Sequence, residues 1–213
     1  MAKGNEGQDG GGTGPVVIGI AGGTASGKST VATALVARLG RRAALLEHDR
    51  YYRTVPPGTG LGQWNFDHPD SLETELMRHH VSEWQQGRSV RVPSYDFATQ
   101  RRLHASHWHP LHPSDVLVVE GILVLADPAL RAVMTHKIYI HTPDDIRLAR
   151  RLERDIRDRG RGLHDILDQY MATVRPMHEQ FVAPSRDHAD LVLSGLDPVD
   201  ELVAAVLAHA RLR

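Results

Sequence analysis

The chain has 213 residues, with 25 Lys and Arg against 26 Asp and Glu, and a formal net charge of −1. That length allows one α/β domain, or two small ones, with ample core, and the near-zero charge gives no bulk electrostatic pull toward nucleic acid or a membrane surface. There is no cysteine, which excludes disulfides and thiol catalysis and agrees with a reducing compartment.

Residues 1–14 are Gly-rich and lack apolar periodicity, which predicts a disordered tail and leaves residues 15–213 as a single domain. No apolar segment precedes Val16, so no secretory signal is expected. The longest apolar stretches flank Glu120 and are too short to span a bilayer. The expectation is a cytoplasmic protein without a membrane or nucleic-acid partner.

Val16 to Ala21 is a short β-branched apolar run, the pattern of a buried parallel strand. Thr30 to Leu39 places Val31, Ala34, Leu35 and Leu39 on one helical face, with Gly40 as a stop. Between them, Gly22-Gly23-Thr24-Ala25-Ser26-Gly27-Lys28-Ser29 fits G-x-x-x-x-G-K-[ST], the phosphate-binding P-loop, and Thr30 follows. The chemistry needs this order. Glycines let backbone N–H groups approach phosphate oxygens where a Cβ would clash, and the helix N-terminus adds its positive dipole end. Lys28 supplies a point charge for the β- and γ-phosphates, and the Ser29 hydroxyl faces Mg²⁺. Only Lys3, Lys28 and Lys137 are lysines, and one of them stands where a compact ammonium suits the phosphate.

Ala43 to Leu46 predicts a second strand ending at Glu47-His48-Asp49, which puts Asp49 on the P-loop's rim of the sheet. Residues 53 to 65 carry prolines and glycines and predict a loop. Ser71 to Gln86 predicts a helix, with Asp70 or Ser71 as N-cap and Gly87 after its end. Val90-Arg91-Val92 alternates, and Pro93 puts it at a sheet edge or in a hairpin. Ser94 to Pro113 lacks a core pattern and predicts an insertion over the crevice. Val116 to Val119, closed by Glu120, and Lys137 to Ile140 predict further strands. Pro143 to Arg159 predicts an arginine-laden helix. Asp165 to Arg175 predicts another, ended or kinked by Pro176. Leu191 to Leu193 and Pro198 to His209 supply the last strand and helix. Strands alternating with helices predict an α/β fold of the P-loop NTPase type: a five-stranded parallel sheet flanked by helices, with a β-hairpin insertion and an arginine-rich lid helix.

A P-loop serves switch GTPases, transporter ATPases and small-molecule kinases alike. The residues before the three lysines are Ala, Gly and His, so no Asn/Thr-Lys-x-Asp guanine motif exists, and no Leu-Ser-Gly-Gly-Gln-like signature is present. The remaining motifs are Asp49-Arg50-Tyr51-Tyr52, Asn65-Phe66-Asp67-His68-Pro69, Pro93-Ser94-Tyr95-Asp96-Phe97, Glu120-Gly121-Ile122-Leu123, Arg147 through Ile156, Arg159-Gly160-Arg161, Gln169-Tyr170 and Pro184-Ser185 to Ala189-Asp190. In these motifs, and in their order from about residue 16 to 195, the chain resembles the uridine kinase family, which phosphorylates uridine and cytidine on the 5′-hydroxyl. The resemblance implies ATP, or GTP, as donor, Mg²⁺, a nucleoside as small-molecule partner, pyrimidine salvage, and a homo-oligomer, commonly a tetramer.

The same resemblance implies roles. Asp49 would be the general base, and with Ser29 and Glu120 a Mg²⁺ ligand, directly or through water. Asp67 would hold the ribose hydroxyls, since a carboxylate accepts two hydrogen bonds from a cis-diol. Tyr52 and Tyr95 would line the nucleoside pocket, although Tyr52 is equally readable as an ordinary core aromatic. Arg161 and Gln169 match nucleoside-contacting positions. Arg147, Arg150, Arg151 and Arg154 fall at i, i+3, i+4 and i+7 on one helix face. Of these, Arg151 and Arg154 match lid arginines that stabilise the transferring phosphoryl, while Arg157 reads as a solvated cation. Gln100 stands where many relatives carry a histidine at the pyrimidine edge; its amide, by flipping, can answer uracil or cytosine. His104, His107, His109 and His112 crowd into the insertion at a spacing that fits no zinc template. Two rivals remain: a related P-loop kinase with another hydroxyl acceptor, and a non-catalytic nucleotide-binding regulator, against which intact Lys28, Asp49 and Glu120 speak.

Overall fold

A computed structural model describes residues 14–59 and 64–212. The expected glycine-rich tail, apart from Gly14, and the middle of the loop expected at 53 to 65 lie outside the described residues. Five strands form one parallel sheet: β1 (Val16–Ala21), β2 (Ala43–Glu47), β7 (Val116–Glu120), β8 (His136–His141) and β9 (Leu191–Ser194). Their order is β2-β7-β1-β8-β9. From β1 the chain runs first to the edge at β2, then fills the gap with β7, and then builds outward on the other side of β1 through β8 and β9, so the carboxyl end of β1 lies at the point where strand order reverses, where α/β sheets open a crevice.

Both faces of the sheet are covered, which is why the strands read as continuous apolar runs. Ile18, Ile20, Val118 and Ile140 pack beneath Val31 and Leu35 of α1 (Lys28–Leu39) and Val206 of α7 (Val199–His209). On the other face Val17, Leu117, Val119 and Tyr139 meet Met77, Val81 and Trp84 of α2 (Thr74–Gln85) and Leu130 of α3 (Pro128–Ala132). Each such aliphatic side chain contributes about 1.5–3 kcal/mol on burial.

α2 starts at Thr74, three residues later than Ser71, and neither Asp70 nor Ser71 caps it. The Ser71 hydroxyl is already committed, donating to Phe66 O at 2.9 Å and His68 O at 2.7 Å inside a tight turn at Pro69–Ser71. The helix expected at Asp165 to Arg175 begins as α5 (Leu163–Gln169), and Pro176 does not stop it. Helical backbone runs on through a widened π-turn at Tyr170–Val174, α6 (Arg175–Met177) and a second π-turn at His178–Val182. Proline lacks an N–H and presses on the carbonyl four residues back, Ala172, which lies inside the first widened turn. α3, which the sequence reading missed, carries its signal in Asp127-Pro128: the Asp127 carboxylate accepts from Leu130 N at 2.6 Å, with proline at the first helical position.

The insertion is two small antiparallel ribbons. β3 (Val90–Val92) pairs with β6 (His109–Leu111), and β4 (Tyr95–Asp96) pairs with β5 (Arg101–Arg102). Arg102 fastens the second ribbon beside the end of β2. Its guanidinium donates to Tyr51 O at 2.6 Å and Tyr52 O at 3.2 Å and pairs with Glu73.

Candidate active site

The loop after β1 takes positive φ where its glycines stand, a conformation open to them for want of a Cβ. Gly22 has φ +153° and Gly27 φ +97°. A Cβ on Gly22 would lie 2.5 Å from Ile140 O and 2.6 Å from Ser26 Oγ. Ala25 also takes a left-handed φ of 57°, a cost typical of a ligand-binding turn. Gly27 caps α1 without any side-chain hydrogen bond, so the first N–H groups of the helix stay available for an anion. Neighbouring elements hold this loop. Thr142 Oγ1 donates to Ser26 O at 2.9 Å, and Arg147, buried in the first turns of α4 (Asp144–Arg157), donates to Thr24 O at 3.4 Å and Thr142 O at 3.2 Å.

Below the loop, Glu120 ends β7 beside Glu47 of β2 and Ile20 of β1. Ser29 Oγ donates to Glu120 Oε2 at 3.1 Å, and Lys28 Nζ lies 3.4 Å from the same oxygen. A cavity of about 420 Å³ opens over the loop, lined by Ala25 through Val31, Arg150 and Arg154, and by Leu196 and Asp197 after β9.

Asp49 sits in a tight turn (His48–Tyr51) directly after β2 and is half-buried. Burial pushes its carboxyl up to about 6. Lys28 pulls it down, while Glu120, Glu47 and Asp67 push it further up. Asp67 is buried too, and burial raises its carboxyl against the opposing pull of Arg151. Ser29, Glu120 and Asp49 therefore gather hard oxygen donors with surplus negative charge beside the phosphate loop. This set suits Mg²⁺ bound partly through water.

Tyr52 is buried beside these carboxylates, and desolvation holds its hydroxyl well above the ordinary tyrosine value. Its ring stands 5.3 Å from Phe66 and 5.5 Å from Tyr95, and Tyr95 stands 5.0 Å from the exposed Phe97. The Tyr95 hydroxyl is buried without a hydrogen-bond partner and is pushed up to about 12. Gln100 forms the turn between β4 and β5 with a left-handed φ of 54°, and its carbonyl accepts from Val55 N at 3.2 Å.

Arg151 is buried between the two halves. It donates to Thr24 Oγ1 at 3.0 Å on the phosphate loop and to Gln169 Oε1 at 3.0 Å, which also accepts from Arg161 at 2.7 Å. Arg154 lines the phosphate cavity. Arg150 donates to Gly195 O at 3.0 Å, and Arg157 is an exposed cation paired with Glu153 and Asp158.

The expected residues thus gather into two connected groups: Gly22 through Thr30 with Asp49 and Glu120, and Asp67, Tyr52 and Tyr95 with Arg151, Arg161 and Gln169. The histidines do not gather. His104 and His107 each meet Ser106 and His112 meets Ser89, and among the described residues no three His, Cys, Asp or Glu side chains converge as a metal site. Sequence reasoning missed Thr142, Leu196 and Asp197, which carry no motif, and gave no role to Asp155. The signal for Asp155 was its place four residues after Arg151 on one helix.

This site and fold define a P-loop phosphotransferase. The family model for the phosphoribulokinase / uridine kinase family matches residues 17–201, and the chain belongs to that family. It is 44% identical over 184 residues to the uridine kinase of Chloroflexus aurantiacus, covering 85% of this chain and 87% of that one. It is 42% identical over 178 residues to the uridine kinase of Halobacterium salinarum, covering 83% and 78%. The fold is also that of phosphoribulokinase from Rhodobacter spheroides, with a TM-score of 0.63 at 13% identity over 85% of this chain and 70% of that one. The protein is a kinase. No helix among the described residues is long and apolar enough to cross a membrane.

Proposed function

We propose that this kinase transfers the γ-phosphoryl group of ATP to the 5′-hydroxyl of uridine and cytidine. The observation that carries the reading is Asp49. It is a half-buried carboxylate with its pKa raised to about 6, on the phosphate-loop rim and within electrostatic reach of both Lys28 and Asp67. A base there can take the 5′-hydroxyl proton as the O5′–Pγ bond forms and the bond to the β-phosphate oxygen breaks. Lys28 and the α1 N-terminus meet charge on the phosphates, with Arg154 at the cavity wall and Arg151 beside it. Asp67 accepts the ribose hydroxyls, and the Tyr52, Phe66, Tyr95 and Phe97 rings take the base. Mg²⁺, held by Ser29, Glu120 and Asp49, would neutralise β- and γ-phosphate oxygens.

Residues 15–213 act in this reading as one kinase domain, in the cytoplasm and as a homo-oligomer, a tetramer by family resemblance. Light scattering on the purified protein tests the assembly. For the activity, a panel of nucleosides is assayed with ATP and with GTP, following both nucleotide products. Phosphorylation of uridine and cytidine ahead of purine nucleosides and simple sugars is the expected result. Turnover only with a non-nucleoside alcohol would replace the acceptor, and nucleotide binding without turnover on any acceptor would leave a regulator.

A further inference from the structure

Asp155 lies in the last full turn of α4 and is completely buried. A carboxylate in such a place costs several kcal/mol unless it is well paired. Four guanidinium groups surround it. Arg154 donates from Nε to Oδ1 at 2.9 Å, with its Nη2 at 2.8 Å; Arg159 Nη1 at 3.4 Å from Oδ1, and Arg151 Nε and Arg161 Nη1 each at 3.7 Å from Oδ2, are ion-pair contacts, and Oδ2 accepts no hydrogen bond among the described residues. Its carbonyl also accepts from Arg161 N at 3.1 Å, which folds the chain after α4 back toward the site.

The arginines reach outward from this carboxylate in different directions. Arg154 lines the phosphate cavity with Lys28 and Ser29. Arg151 reaches Thr24 on the phosphate loop, and Arg151 and Arg161 share Gln169 Oε1 on the acceptor side. Asp155 itself does not line that cavity. It is outnumbered four to one, so it can orient the cluster without cancelling the positive charge that a triphosphate requires.

We propose that Asp155 is a positioning residue for phosphoryl transfer: one buried carboxylate that fixes Arg154 at the wall of the phosphate cavity, with the other three guanidinium groups held near it by charge alone. This rests on the kinase reading of Arg154. Misplacing a catalytic group by about 1 Å can cost on the order of a hundredfold in rate, so the expected effect lies in kcat rather than in nucleotide affinity.

The test is a double-mutant cycle in the full-length protein with Arg154→Ala, Asp155→Asn and both together, reading kcat, KM for ATP and for nucleoside, and melting temperature. Asp155→Asn is expected to lower kcat about 10- to 100-fold with KM for ATP within about threefold. Added to Arg154→Ala, it should lower kcat by less than about threefold further, because the group it positions is already gone. A normal kcat for Asp155→Asn, or losses that multiply in the double variant, would reduce Asp155 to a structural charge and overturn the proposal while the kinase reading stands. A normal kcat for Arg154→Ala would instead remove Arg154 from the chemistry, and the proposal with it. If Asp155→Asn does not fold, Asp155→Glu takes its place. It keeps the charge but moves it by one methylene. Reduced kcat that fails to multiply with Arg154→Ala supports positioning, and normal or multiplying kcat overturns it.

Discussion

On the phosphate side of the cleft, nine consecutive residues, Gly22 through Thr30, make the site largely from backbone. Their N–H groups, left-handed glycines and helix start are local features of one strand–loop–helix unit. On the proposed acceptor side, Tyr52, Asp67, Tyr95 and Gln169 arrive from four separate segments and would work through side chains. The conformation of the first site is nearly forced by its local backbone, and Thr142 and Arg147 brace it through hydrogen bonds to Ser26 O and Thr24 O. The second depends on remote fastenings such as Arg102 on Tyr51 and Tyr52. A backbone cradle binds any nucleoside triphosphate. A pocket of side chains from several segments is where acceptor choice can change without disturbing it.

The contrast is sharpest at Lys28. Lys28→Ala should lower kcat by about a thousandfold at saturating ATP, the upper range for losing one preorganised charge, and leave nucleoside affinity within about threefold. Steady-state kinetics with nucleoside titration in the absence of ATP separates the two. A comparable loss of nucleoside affinity would show that the halves are not independent.

Asp49 stands between the halves. Asp49→Asn should lower turnover at least about a hundredfold while ATP affinity stays nearly intact. Turnover within a fewfold of the unaltered protein would take Asp49 out of the chemistry. The same substitution has a stability consequence whose sign follows from linkage. Burial raises the Asp49 carboxyl from 3.8 to about 6. The folded state therefore binds the extra proton between those values, and this stability is present below pH 3.8 and lost as pH rises through 6. Above that range Asp49 burdens the fold, so Asp49→Asn should stabilise the protein at pH 8. The full shift is worth about 3 kcal/mol, and solvent screening of a half-buried group cuts this to about 1–2 kcal/mol. Thermal melts of the Mg²⁺-free protein at pH 4 and pH 8 test it, with the gain confined to the higher pH.

Activity should follow the same group with the opposite sense. A general base must be ionised, so kcat/KM should fall about tenfold per unit on the acid side, with Mg²⁺ on Asp49 drawing that limb below the metal-free value of about 6. Loss of the acid limb in Asp49→Asn ties the limb to this residue.

The smallest effect is expected at Gln100. If its amide answers both bases, kcat/KM for uridine and cytidine should agree within about tenfold, and Gln100→Ala should lower both by a similar factor. A thousandfold preference for one nucleoside breaks the flip. Unaltered rates in Gln100→Ala would leave its carbonyl, which accepts from Val55 N, as its contribution.

The five parallel strands and the phosphate loop were legible in the chain because their signals are local: continuous apolar runs, and glycines where the backbone must turn left-handed. The amino-acid sequence determined the order of strands and helices, the position of Lys28 and Ser29, and the placement of Asp49 and Glu120 at strand ends. Helix boundaries were less legible. Ser71 looked like a cap until its hydroxyl was found spent on Phe66 and His68, and Pro176, expected to end or kink its helix, is passed by helical backbone with a widened turn on either side. Only the tertiary structure decided that Arg147 braces the loop, that the Tyr95 hydroxyl is buried without a partner, and that Asp155 gathers four guanidinium groups. The physical reason is burial. A side chain's desolvation and partners depend on segments far away in the chain, whereas a strand, a helix face and a glycine turn depend mainly on their neighbours.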